Sequence, residues 1–288
     1  MPYNLQKIAE ENAKWAKKQF SAIVDPCRDE LTLFLSNKLP SSSMAEVGSI
    51  LSEMSHAYGV QSMATLPLGD VAGLRSFQLS LAYRWLSIKS FMAHLTLTGK
   101  APNAKRYSFI NGCALALSAL KLFSSEAYFA LCISQFTEAV NRGIIDKEKS
   151  TPLFIFVCWI LNEQSPIVTK AHFNSKKDYP SDLYFRIMEE CHAGTINYDF
   201  VSRLLDEHIR NTDDHGDSGF QEFLFSPWRE CPVEVLCFCR RHNLKIIPDS
   251  DGLMSSVWNG IRFNDLYSGD ALAIDIEHKL NAILPDYK

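Results

Sequence analysis

Two clusters in this 288-residue chain hold residue types that could do chemistry, and each makes its own demand on geometry. Cys231, Cys237, Cys239 and His242 are all metal-ligand types. A structural zinc site needs four such ligands converging tetrahedrally, normally with a Cys-x2-Cys knuckle. Here the cysteine steps are six and two, which on a helix turn the thiols to different faces. The expectation is buried thiols, with a histidine favoured by the negative end of the helix dipole. The run Asp213-Asp214-His215-Gly216-Asp217 also offers ligand types, but adjacent residues do not converge on an ion. It reads as a solvated acidic loop, and no metal or cofactor is expected at either place.

Arg210 and His215 have the Arg-x4-His spacing found in helical HEPN ribonucleases. In such a site the arginine would stabilise phosphate charge and the histidine would move the proton. The three carboxylates beside it would repel an RNA phosphate. No GxGxxG, Walker, GxSxG or HExxH motif occurs, so a binding protein rather than an enzyme is expected. Asp206, Glu207, Asp213, Asp214, Asp217 and Glu222 lie close together, opposed mainly by Arg203 and Arg210. They form either an ordinary solvated face or a patch that steers and docks a basic protein surface.

The elements that would position these residues read as helices. The chain is long enough for a proper core, and 47% hydrophobic with 22% charged residues places it among globular proteins. A net charge of −4 argues against a general nucleic-acid binder. Charges at Lys7, Glu10, Glu11, Lys14, Lys17 and Lys18 leave no signal-peptide core, and the longest apolar run, 153–161, is too short to cross a bilayer. Eight scattered cysteines, mostly within apolar patterns, suit reduced thiols in the cytoplasm.

Asn4 should cap a helix to about Val24, with Asp25-Pro26 restarting a second one. Ser43 and Glu46 have capping-box spacing ahead of Met44, Val47, Leu51, Met54 and Tyr58. Leu74, Phe77, Leu81, Trp85, Ile88, Met92 and Leu95 form a core-facing stripe that ends at Gly99. Further helices are expected over 107–123 and 125–142, over the all-apolar 153–161, and briefly after Ser165-Pro166. Two more should follow caps at Ser181 and Asn197, and another should open at Pro232 and close at Arg240-Arg241-His242-Asn243. Short extended pairing near 244–247 would be the exception. The pattern predicts an all-α protein, a multi-helix bundle of packed hairpins in one domain over 1–288. Within it, N-terminal helices occupy 1–40, a helical core 41–245, and a less regular tail 246–288.

The late segment runs Pro232, a small-apolar helix through Cys239, the polar turn 240–243, Leu244 with Ile246, Asp249 with Asp251, then Leu253 and Trp258. This order resembles the bacterial polymorphic-toxin immunity proteins of the immunity protein 49 family. Helices bearing Leu81, Trp85, Ile88 and Met92, and 198–208, fall where that family has comparable ones. The resemblance implies an all-helical cytoplasmic antidote, without chemistry of its own, that binds the toxin domain of a secreted effector and blocks it. It implies no nucleic-acid or membrane partner. The acidic residues Asp206, Glu207, Asp213, Asp214, Asp217 and Glu222 would then face the toxin, many such toxins being nucleases with basic clefts. A helical ribonuclease using Arg210 and His215, or a helical scaffold, are the competing expectations.

Overall fold

The computed structural model describes residues 4–38, 44–99, 152–161, 182–194, 196–212, 226–245, 258 and 269–284. Among them no strand occurs, and the architecture is all-α. The helices are α1 (Leu5–Leu35), α2 (Met44–Ser62), α3 (Leu74–Thr98), α4 (Pro152–Leu161), α5 (Leu183–His192), α6 (Tyr198–Asn211), α7 (Val233–Arg241) and α8 (Ala271–Ile283). One hydrophobic cluster draws side chains from all of them. The expected elements over 107–123, 125–142, 165–166, 215–219 and 246–247 lie outside the described residues, as do Ser43 and Ser181.

α1 begins where expected, with the Asn4 side chain accepting from the Lys7 amide at 2.9 Å. It does not restart at Pro26. The helix runs unbroken for 31 residues with Pro26 inside it. Pro26 has no N–H for the carbonyl of Ala22, but both residues lie on the exposed face, where water can serve that carbonyl. On the opposite face Val24, Cys27, Leu31 and Phe34 are buried, and their packing carries the helix through.

α2 and α3 pack antiparallel along a seam of small residues. Ser55 Oγ donates to the Ser80 carbonyl at 2.8 Å, and Ser80 Oγ returns the bond to the Ser55 carbonyl at 2.7 Å. Ser87 Oγ reaches the Gly48 carbonyl at 2.6 Å, and Ser90 Oγ reaches the Met44 carbonyl at 2.5 Å. A Cβ on Gly48 would stand 2.9 Å from the Phe91 ring. The seam buries a second face of α3, beyond the expected stripe, of which Phe77, Leu81, Trp85, Ile88, Met92 and Leu95 are buried and Leu74 is half-buried. α3 is entered through a 3-10 turn, Val71–Gly73, capped by Asp70, and it ends at Gly99 with φ 68°.

The tail expected to be less regular carries α8. Asp270 caps it, accepting from the Ala273 amide at 3.0 Å, the Tyr83 hydroxyl at 2.7 Å and Arg28 at 2.5 Å. Burial alone would push the Asp270 carboxyl up, but these hydrogen bonds together hold it below the ordinary value. Ala273, Ile276 and Leu280 fill the groove between α1 and α3. Lys89, buried within α3, donates to Glu277 at 3.2 Å and Asn281 at 2.6 Å. Lys279 caps the C-terminus of α1 through the Phe34 carbonyl and the Asn37 side chain.

The second group of helices is built on rings. Phe156 of α4 packs on Trp159, Tyr184 and Phe238 at centroid distances of 5.8, 5.0 and 6.1 Å. The expected central, apolar character of 153–161 is seen in Leu153, Ile155, Phe156, Val157, Trp159 and Ile160, all buried. α5 is capped by Asp182, one residue after the expected Ser181, through a 2.8 Å bond from the Tyr184 amide. α7 packs mainly on α6 and on α4, the apolar run 153–161. Trp258 makes contact with α3, its ring 6.1 Å from that of Phe77.

Replacing Glu277 by Ala removes the carboxylate from the interior Lys89 ammonium, leaving Asn281 as its hydrogen-bond partner among the described residues, and should cost about 2 kcal/mol, the scale of a hydrogen bond to a charged group. Urea unfolding measures it. The double replacement Lys89→Met, Glu277→Leu should recover most of that loss, because no buried charge then lacks a partner. A double variant as unstable as Glu277→Ala would reject the ion pair as the cause.

Candidate functional site

α6 is the helix that carries the acidic residues singled out in the sequence. Asn197 caps it, accepting from the Asp199 amide at 2.9 Å. Phe200, Val201, Leu204, Leu205 and His208 recur at helical spacing and are buried, which fixes the helix on its neighbours. The opposite edge therefore faces outward, with Asp199, Ser202, Asp206 and Arg210 exposed. Arg203 crosses to α5 and holds Glu190 in a two-point pair at 2.8 and 2.9 Å.

Of the six acidic candidates, the described residues include Asp206 and Glu207. Asp206 is exposed and makes no ion pair among the described residues. Glu207 is half-buried and engaged: Arg210 donates to it at 2.6 Å and the Asn211 amide at 3.3 Å. Asp213, Asp214, Asp217 and Glu222 lie outside the described residues. So does His215, leaving Arg210 as the described half of the Arg-x4-His pair, with its guanidinium on Glu207.

Beneath this edge lies a cluster that the sequence did not disclose. His208 and Glu234 are both fully buried, with Nδ1 and Oε1 2.7 Å apart. The second ring nitrogen stands 3.3 Å from the Arg229 carbonyl. Four positions before Glu234, a second fully buried carboxylate, Glu230, gathers donors on a single oxygen. Its Oε1 accepts from Asn12 of α1 at 3.0 Å, Ser226 Oγ at 2.7 Å and Arg229 Nε at 3.1 Å. The remaining oxygens, Glu230 Oε2 and Glu234 Oε2, are buried with no donor among the described residues. The turn at 226–230 sits so close to α2 that a Cβ on Gly59 would stand 2.5 Å from the Pro227 ring. Gly59 thus clears room for the turn that carries Glu230.

Electrostatics around the cluster follow from burial. The Tyr184 hydroxyl is pushed well up, first by burial and then by the charges of Glu234, Glu207 and Asp182. Burial likewise raises the Asp182 carboxyl to about 6, against the opposing hydrogen bonds from the Tyr184 and Phe185 amides, with Glu207 adding to the rise.

The cysteines behave as buried thiols. Cys231, Cys237 and Cys239 are buried and unbridged. Burial raises Cys239 to about 11 and pushes the Cys231 thiol well up, so neither is a ready nucleophile. The His242 ring packs on Phe238 at 4.6 Å, at the C-cap of α7. Among the described residues no three His, Cys, Asp or Glu side chains are grouped so as to hold a metal ion. No described helix is long and apolar enough to cross a membrane. Comparisons with protein-family models, with curated proteins and with solved structures find no match to this chain.

Two outcomes are expected here. His208→Phe strands Glu234 as an unpaired interior charge and should cost about 3–5 kcal/mol in chemical denaturation, most of it restored by adding Glu234→Leu. For Asp182, the raised carboxyl means the folded state holds that proton more tightly than the unfolded chain. Its contribution is fully present below the unfolded value of 3.8 and is lost as pH rises through about 6. Asp182→Asn keeps a capping oxygen and should flatten the stability profile between those two pH values. An unchanged slope would show that Asp182 does not sense the cluster.

Proposed function

We propose that this chain is an immunity protein, a non-enzymatic partner that binds and neutralises the toxin domain of a secreted bacterial effector in the cytoplasm. The observation that carries the reading is the acidic outer edge of α6. Asp206 projects from a helix whose other face is buried, with Asp199 two turns before it. A recognition edge on a rigid helix loses little conformational freedom on binding. The sequence continues the charge at Asp213, Asp214, Asp217 and Glu222, so the edge is the start of a longer acidic segment. Such a surface suits a basic partner, for which complementary charge speeds encounter and rejects wrong partners. The succession of residue types from Pro232 to Trp258, resembling immunity protein 49, supports the same reading. In this reading the segment is scaffold: Val233–Cys239 is buried in a helix that packs on α4 and α6, and the contact surface lies upstream on α6.

Glu207 then has a supporting role. It orients Arg210 and Asn211 and lies near Asp182, so its reversal would disturb the fold as well as the surface. A cleaner test leaves it alone. The triple charge reversal Asp206→Lys, Asp213→Lys, Asp214→Lys is compared with the parent chain for binding to the toxin domain encoded beside its gene. Co-expression rescue and a dissociation constant at two salt concentrations are the readouts. The expected result is loss of rescue and at least roughly tenfold weaker binding at low salt, with helical content unchanged. Unchanged binding at both salt concentrations would sink the acidic edge as the contact. RNA cleavage by the purified chain, abolished in His215→Ala, would replace the whole reading by that of a ribonuclease.

A further inference from the structure

We propose that His208 and Glu234 together retain a proton in the protein interior, and that this proton-bearing pair is the latch fixing α6 to α7 and to the turn at 226–230. The geometry sets the proton count. The His208 ring faces the Glu234 carboxyl through Nδ1 at 2.7 Å and the Arg229 carbonyl through Nε2 at 3.3 Å. A backbone carbonyl can only accept, so Nε2 must donate. With the ring neutral and Glu234 ionised, Nδ1 would then direct its lone pair at a carboxylate oxygen 2.7 Å away. That contact is repulsive, and no water separates the groups at this distance. One further proton in the Nδ1–Oε1 bond removes the repulsion, whether it rests on the ring or on the carboxyl.

Charge balance points the same way. Glu230 is answered by Arg229, at 3.1 Å, whereas Glu234 has His208. Without the extra proton the Glu234 charge would have no cation beside it among the described residues, close to Tyr184 of α5 and Cys231 before α7. A lone interior charge is among the costliest defects in a fold. With the proton, the cluster is neutral and each helix is tied through it: α6 by the ring, α7 by Glu234, and α1 by Asn12 on Glu230. The latch also sets where the outer edge of α6 stands, since His208 and Asp206 occupy opposite faces of the same turns. The inference concerns the chain alone and does not rest on the identity of any partner.

The full-length chain labelled with 15N provides the first test, at pH 7, with the His208 signals assigned by comparison with His208→Gln. Two slowly exchanging protons are expected around the ring, one on Nε2 and one in the Nδ1–Oε1 bond. A ring region holding only one overturns the proposal. Amide hydrogen exchange tests the latch. Glu234→Gln removes the carboxyl that shares the proton, and exchange should rise at least roughly tenfold within 204–211 and 233–237. Amides of α2 and α3 should stay as they were. A rise spread evenly over all helices, or none in α6, overturns the latch. The first measurement reads the unsubstituted chain, with His208→Gln used for assignment alone, and decides the proton count even where Glu234→Gln folds poorly.

Discussion

Two helix backbones approach closely only where the side chains between them are small, and α2 and α3 meet through Gly48, Ser55, Ser80, Ser87 and Ser90. The hydroxyls do more than save space. Each donates across the seam to a backbone carbonyl of the opposite helix, two of them reciprocally between Ser55 and Ser80. A serine inside a helix usually bonds back to its own preceding turn, which slightly weakens the helix. Turned outward, the same group becomes a cross-link that leaves no buried hydroxyl unpaired. The seam makes α3 a helix with little free surface, and that in turn determines what the flanking helices can be. α1 closes one side of α2, and α8 closes the groove that α1 and α3 leave between them. Because Lys89 is interior on α3, α8 must bring Glu277 and Asn281 to it. Sequence, packing and electrostatics are therefore linked at a single helix.

Much of the helical pattern was legible because it is local. The caps at Asn4 and Asn197, the stop at Gly99 and the apolar run of α4 rest on residues only a few positions apart. The misreadings share a physical origin. Pro26 is a strong local signal against helix, and it was overridden by the buried face of Val24, Cys27, Leu31 and Phe34 on the far side. The stripe on α3 correctly marked one buried face and concealed a second, because serine reads as a surface residue. The spacing of Ser80, Ser87 and Ser90 with Gly73 was the available clue to a small-residue seam. α8 was missed as a regular element although Asp270 offered a cap and apolar residues recur along it, because the polar contacts that anchor it, Arg28 on Asp270 and Lys89 on Glu277 and Asn281, join positions far apart in the chain.

The buried cluster was illegible for a stronger reason. His208 and Glu234 are 26 positions apart, and Asn12 and Glu230 are 218 apart. In the sequence His208 looks like a helix-end histidine and Glu234 like a first-turn acid, both ordinary surface roles favoured by the helix dipole. Only the fold shows that the two roles were exchanged for burial. The reverse holds for Glu207, which sequence grouped with the outward acids. Its Arg210 and Asn211 donors lie three and four positions on, the helical distance at which side chains meet. That pairing could have been anticipated.

The acidic edge and the buried cluster are two faces of one design problem. Under the proposed function, Asp206 would meet a partner with least loss of freedom if its position were fixed before the encounter. Apolar packing by Phe200, Leu204 and Leu205 fixes how far α6 sits from its neighbours, but methyl and ring contacts tolerate small rotations. A 2.7 Å bond between interior groups does not. His208 lies two positions after Asp206, so rotation of the helix about its axis would swing the carboxylate outward while breaking the bond to Glu234. The directional bond thus supplies the angular constraint that the hydrophobic contacts lack. Under the proposed function, this constraint would give an ionisable pair a use that an apolar pair of similar volume lacks. Through Glu230 and Asn12 the same constraint extends to α1, so the orientation of the outer edge is referred to the N-terminal helix as well as to its immediate neighbours.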